Sequence, residues 1–125
     1  MTGDEMPDTG QAAQPGHLSI VDTTSAGIRI LALAGEIDDD TGEKLRQALD
    51  VSGTPRPRLV LDMQRVTFMD STGINILITA HQTVTAAGGW LRLAAPTSPV
   101  QRIIQIVGVD TLIDCYPTLR EALSH

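Results

Sequence analysis

Aromatic residues are nearly missing from this 125-residue chain: one Phe, one Tyr and one Trp account for 2% of it. A surface that reads nucleic acid by stacking bases on rings is therefore excluded. The core must come from Leu, Ile, Val and Ala within a hydrophobic fraction of 42%, with Phe68, Trp90 and Tyr116 each filling an isolated place. Cysteine is as scarce. Cys115 alone can form neither an intrachain disulfide nor a multi-cysteine zinc site, and its apolar neighbours, with no basic group nearby in sequence, point to a buried thiol. Positive charge is also short. Nine Lys and Arg against fifteen Asp and Glu leave a net charge of −6, and Lys44 is the only lysine. That field repels phosphate backbones and anionic lipid heads, so direct nucleic-acid binding is not expected. No segment approaches the ~18 apolar residues that span a bilayer, and Asp4, Glu5 and Asp8 have no apolar run behind them, as a signal peptide would. A soluble cytoplasmic protein without membrane insertion is expected.

Length allows one domain with a single core. Residues 1–16 are polar, rich in Gly, Pro, Gln and acids, and without period, which predicts a disordered leader ahead of a fold over residues 17–125. Apolar runs at 18–21 and 28–33, separated by Thr-Ser-Ala-Gly, predict an antiparallel hairpin closed by Gly35-Glu36-Ile37-Asp38. Asp40 and Glu43 have capping-box spacing ahead of a helix with Leu45, Ala48 and Leu49 on one stripe. Leu59-Val60-Leu61, ending in Asp62, reads as a strand buried on both faces. A helix is expected over 72–87 with Gly88-Gly89 as its stop, then a strand at 90–94. Ser98, Pro99 and Gln101 carry the marks of a cap, a first helical residue and a third, ahead of a helix stopped by Gly108. A strand at 112–116 and a short helix after Pro117 complete the chain. A hairpin followed by alternating strands and helices is an α/β domain: a mixed sheet of about five strands with about four helices.

The stretch Val66-Thr67-Phe68-Met69-Asp70-Ser71-Thr72-Gly73-Ile74 is the centre of interest. It brings an apolar approach to Asp-Ser-Thr-Gly and then straight into a helix pattern, so Ser71 stands at a helix N-terminus. There it can cap an unpaired backbone N–H or be the target of a partner's chemistry. Enzymatic readings each lack a part. There is no G-x-x-x-x-G-K-[ST] and no G-x-S-x-G around Ser71. His81 lies ten residues along the same helix, about 15 Å away along its axis, beyond hydrogen-bond reach. It falls at the edge of the apolar face, where a hydrogen-bonded imidazole is common, and His17 and His125 suggest no ligand cluster. Asp-Ser-Thr-Gly places its glycine one residue late for the Asp-[Ser/Thr]-Gly of aspartic proteases. Asp38, Asp39 and Asp40 lack the spaced oxygen ligands of a cation loop and read as a solvated turn with a helix cap. No catalytic group, cofactor or metal is expected. The helix itself carries Ile74, Leu77, Ile78, Ala80 and Val84 on one arc and Asn75, Thr79, Gln82, Thr83 and Ala86 on the other. The second arc has no charge, which suits either a protein-binding strip or a second internal packing face.

On these residues the chain resembles the STAS family, and within it the bacterial anti-sigma factor antagonists. The likeness covers residues 17–125 through the order of elements, the Gly35-Glu36-Ile37-Asp38 turn, and above all Phe68-Met69-Asp70-Ser71-Thr72-Gly73-Ile74. It implies that Ser71, directly after the motif aspartate, is phosphorylated by an anti-sigma factor that is also an ATP-dependent serine kinase. It further implies a partner switch: the unphosphorylated protein binds the anti-sigma factor and frees a sigma factor, phosphorylation ends that binding, and a serine phosphatase resets it. The chain is then substrate and ligand, not enzyme. Its contact surface is expected at Asp38, Asp70, Thr72, Gly73, Asn75, Thr79 and Gln82. Asn75 stands where many such sequences carry glycine, which alters the shape of that surface. The rival expectations are a non-phosphorylated STAS subunit of a membrane transport ATPase and a STAS scaffold in a larger signalling assembly.

Overall fold

A computed structural model describes residues 17–124; the expected leader at 1–16 and His125 lie outside the described residues. Among the described residues, five strands form one sheet, β1 (Leu18–Ser25), β2 (Ile28–Ile37), β3 (Arg58–Met69), β4 (Trp90–Ala94) and β5 (Asp114–Tyr116). They lie side by side in chain order. β1 and β2 pair antiparallel, while β2–β3, β3–β4 and β4–β5 are parallel. The helices are α1 (Gly42–Ala48), α2 (Ser71–Ala86), α3 (Ser98–Val107) and α4 (Leu119–Ser124), with a 3-10 turn at Val109–Thr111.

The strand order fixes where the helices go. Parallel neighbours require crossovers, crossovers are right-handed, and three successive steps in one direction put α1, α2 and α3 on the same face of the sheet. The main core lies between them. Leu31, Leu33, Leu59, Leu61, Met63, Leu91 and Leu93 point from the strands toward Leu45 and Leu49 of α1, Ile74, Leu77 and Val84 of α2, and Val100 and Ile104 of α3. The other face is covered by α4 over a smaller cluster of Ile28, Ile30, Val60, Ala94 and Ala122, flanked by Trp90 and Tyr116. Arg92 fastens that helix: its guanidinium lies 3.8 Å from the centroid of the Trp90 ring, and its Nη1 donates to the Ala122 carbonyl at 2.9 Å.

The hairpin turns on two residues, Ala26 and Gly27, at φ 52° and 80°. Two positive φ values make the turn whose twist suits a two-residue hairpin, and alanine is strained there. β3 runs well past Asp62, where the sequence pattern ended it. The Asp62 side chain is 6% exposed; its carboxylate accepts the Gln64 backbone N–H at 3.2 Å and Gln64 Nε2 at 2.9 Å. Satisfied in this way, the acid stays inside a strand whose pairing with β2 shifts register beside it, between Ala32 and Ala34. β5 is shorter than the expected 112–116, because the chain from Val109 to Thr111 is wound into the 3-10 turn. Phe68, expected to fill an isolated place, is 46% exposed, because the pairing with β2 shifts register between Val66 and Phe68 and leaves Thr67 and Phe68 both facing outward. Cys115 is half-buried, and burial, then Asp110 and Asp114, push its thiol up to about 11.

Two measurements follow. Replacing Ala26 by Asn, which accepts positive φ more readily, raises the unfolding free energy by about 0.5–1 kcal/mol in urea melts. Cys115 reacts slowly with thiol reagents at pH 8 in the folded state, and its rate keeps rising with pH beyond about 10, where an ordinary thiol levels off, because a raised pKa leaves little thiolate below that range.

Candidate protein-interaction face at the start of α2

β3 delivers the chain to the C-terminal end of the parallel strands, where the Asp70 N–H donates to the Ile37 carbonyl of β2 at 3.2 Å. Asp70 is itself the N-cap of α2. Its backbone is extended (φ −108°, ψ −168°), and its Oδ1 accepts the N–H groups of Thr72 at 2.9 Å and Gly73 at 3.4 Å. The expectation that Ser71 could be the cap is therefore corrected. A residue that caps with its side chain typically keeps extended backbone, and the residue leaving the strand in that conformation is Asp70, while Ser71 is already the first residue of the helix. Ser71 is exposed, and its hydroxyl makes no hydrogen bond among the described residues.

Gly73 is buried, not part of a contact surface. A Cβ there would lie 2.7 Å from Ile37 Cγ2 and 2.5 Å from Met69 Cγ, so the missing side chain lets the first turn of α2 sit down on the ends of β2 and β3. Thr72 is half-buried. Its hydroxyl donates to Asp39 Oδ1 at 2.9 Å, which ties the β2–α1 loop to α2.

That loop is held by Asp38 and Thr41. Asp38 Oδ1 accepts the N–H groups of Asp40 at 2.9 Å and Thr41 at 3.1 Å, and Thr41 Oγ1 donates to the Glu36 carbonyl at 2.8 Å. The expected capping box of Asp40 with Glu43 does not form. Thr41 is the N-cap, with helical backbone (φ −101°, ψ −10°) and no side-chain cap bond, because its hydroxyl is turned back to the strand. Asp38, expected on the contact surface, is half-buried and organises the loop from within. Ser98 is likewise not a cap: Thr97 is, and its Oγ1 donates instead to the Val66 carbonyl at 2.7 Å, so α3 too starts without a side-chain cap bond.

Beyond the first turn, Asn75, Thr79, Gln82, Thr83 and Ala86 are all exposed. The uncharged arc is thus an open surface, not an internal packing face. Together with α1 it borders a groove of about 390 Å³, lined by Gln47, Leu49, Val51, Asn75, Thr79 and Thr83. The Glu43–Arg46 ion pair, 2.8 Å, stands on its rim. His81 sits half-buried at the edge of α2.

Asp39 and Thr41 were not among the residues expected at the contact surface. Nothing local tells which of three consecutive aspartates reaches across to another helix, or that a shift of register at Thr67 turns Phe68 outward. Chemically, Ser71 offers a free hydroxyl at the positive end of a helix dipole, where added negative charge is tolerated. Asp70 is engaged by backbone amides and Asp39 by Thr72, so neither is set to take the Ser71 proton. Among the described residues no three His, Cys, Asp or Glu side chains gather as a metal site, and no helix is long and apolar enough to cross a membrane.

Relatives share this frame. The chain is 26% identical over 101 residues to the anti-sigma F factor antagonist of Paenibacillus polymyxa, covering 79% of this chain and 86% of that one. It is 27% identical over 111 residues to the anti-sigma-F factor antagonist RsfB of Mycobacterium tuberculosis, covering 88% and 90%. A crystal structure of an anti-sigma factor antagonist from Mycobacterium paratuberculosis superposes with a TM-score of 0.81 at 28% identity, over 89% of this chain and 95% of that one. The STAS domain family model matches residues 19–122, nearly the whole of the fold described above, and the chain belongs to the STAS domain family.

Proposed function

We propose that this protein is an anti-sigma factor antagonist working by partner switching, with Ser71 as its phosphoacceptor. The observation that carries the reading is the position of Ser71: exposed and unbonded because Asp70 has taken over the cap, at the head of an uncharged helix face bordering a groove. The names of the relatives point the same way.

In this reading the unmodified protein binds an anti-sigma factor through Thr72, Asn75, Thr79 and Gln82, with Asp38 and Gly73 shaping that face from beneath, and the sigma factor is released in the cytoplasm. The anti-sigma factor is also an ATP-dependent serine kinase. Phosphorylation adds about −1.5 to −2 charges beside the carboxylate of Asp70. Tight contact would have to strip water from that phosphate, which is costly without matching cations on the partner. The fold is not strained in return, because the α2 dipole favours an anion at this end. A serine phosphatase restores the binding form. The chain contributes a hydroxyl and a surface; the chemistry belongs to its partners.

Incubation with the cognate anti-sigma factor kinase and ATP adds one phosphate, mapped to Ser71; an unmodified Ser71 would sink the reading. Ser71→Ala binds the partner as the parent does but is not released by ATP, whereas Ser71→Glu weakens binding at least about tenfold, or 1.4 kcal/mol, by titration calorimetry. Thr79→Lys and Gln82→Lys weaken binding by a similar factor with melting temperatures nearly unchanged, because both positions are exposed.

A further inference from the structure

Two hydroxyl residues stand next to each other at the head of α2, and their surroundings differ. Ser71 projects into solvent with no hydrogen bond among the described residues. Thr72 is held from two sides. Its hydroxyl donates to Asp39 Oδ1 at 2.9 Å. Its methyl lies over Gly42, so close that a Cβ on that glycine would meet Thr72 Cγ2 at 3.1 Å. A β-branched side chain has one stiff torsion, and fixing the methyl on α1 and the hydroxyl on the loop fixes it completely. The Asp39–Thr72 bond joins residues 33 apart in the chain, so it depends on the fold and not on local sequence.

We infer that Asp39 is a positioning residue that restricts phosphoryl transfer to Ser71 by turning the Thr72 hydroxyl away from an incoming donor. The inference rests on the phosphoacceptor reading above and sharpens it. In the transfer, the hydroxyl oxygen bonds to the γ-phosphorus of ATP. The bond from that phosphorus to the β,γ-bridging oxygen breaks, ADP leaves, and the hydroxyl proton passes to a base of the kinase. Attacking and leaving oxygens must lie roughly in line. The Thr72 hydroxyl is aimed at the Asp39 side chain, which occupies the line along which a triphosphate would have to approach it. The Ser71 oxygen meets open solvent. Gly42 has the companion role: its bare backbone leaves the space that the Thr72 methyl occupies.

The test uses the full chain, the cognate anti-sigma factor kinase and ATP, read by intact mass and site mapping. The parent takes one phosphate on Ser71, and Ser71→Ala takes none. Ser71→Ala combined with Asp39→Ala gains one phosphate, on Thr72. Ser71→Ala combined with Asp39→Asn, which keeps an acceptor oxygen for the threonine, again takes none. A parent phosphorylated on Ser71 beside a double Ala variant that stays unmodified overturns this inference alone. Equal Thr72 phosphate in the Ala and Asn combinations also overturns it, since the hydrogen bond would then not be what selects. A parent that takes no phosphate overturns the functional reading and this inference together. All substituted positions are exposed, and unchanged melting temperatures confirm that the variants are folded.

Discussion

The order of the strands is the constraint from which the rest of this protein follows. A sheet laid down strictly as β1 to β5, with parallel pairing after the first hairpin, sends every crossover helix to one face. α1 and α2 are then neighbours over β2, β3 and β4, and both begin at the C-terminal ends of parallel strands. The loop entering α1 and the turn entering α2 meet there through the Asp39–Thr72 bond. No side chain has to reach far to build the site, since the topology has already brought two helix starts together. Among the described residues, the opposite face receives only the short α4, and Arg92 stacked on Trp90 fastens it.

Within that frame, the polar residues around the site are divided by task. Asp70 ends the strand and starts the helix. Asp38 and Thr41 shape the loop, and Asp39 joins loop to helix. Each carboxylate therefore has a structural partner, and the hydroxyl of Ser71 is left over. A cap one residue later would have tied that hydroxyl to the helix. Its availability is a consequence of Asp70 standing where β3 leaves the sheet. Gly73 completes the arrangement, since a side chain there would lift the first turn off Ile37 and Met69.

Much of this was legible before any coordinates. Period-two and period-3.6 patterns located the hairpin, all four helices and β4, whose bounds of Trp90–Ala94 agree with the pattern. The uncharged arc of α2 was visible too, although only the structure separates an open surface from a packing face. Gly108 closes α3 in the left-handed conformation, as its place after the last apolar residue predicts, but the N-caps were not legible, and for one reason. Asp70-Ser71-Thr72, Thr97-Ser98 and Asp40-Thr41 each offer adjacent residues that can cap, so local sequence cannot choose among them. Tertiary contacts choose: Thr97 is drawn to Val66, Thr41 to Glu36, and Asp70 to the end of a strand paired with Ile37. The full reach of β3 was hidden for a related reason. A buried acid argues against a central strand until its Gln64 partner, two residues on, is known to satisfy it.

Charge sets how far a phosphate on Ser71 can act. The chain already carries −6, and about two further charges change its distant field modestly. Screening at physiological salt limits that field to about 8 Å. Along α2, Gln82 stands eleven residues beyond Ser71, about 16 Å at the helical rise, so it lies outside the phosphate's effective range. The far end of the uncharged strip is therefore equally sticky in both forms of the protein. For phosphorylation to end binding, the partner must draw a large part of its binding energy from the first turn of α2 and the Asp38–Thr41 loop beside it. The strip beyond supplies area and exclusion of water, while the first turn decides whether the partner stays.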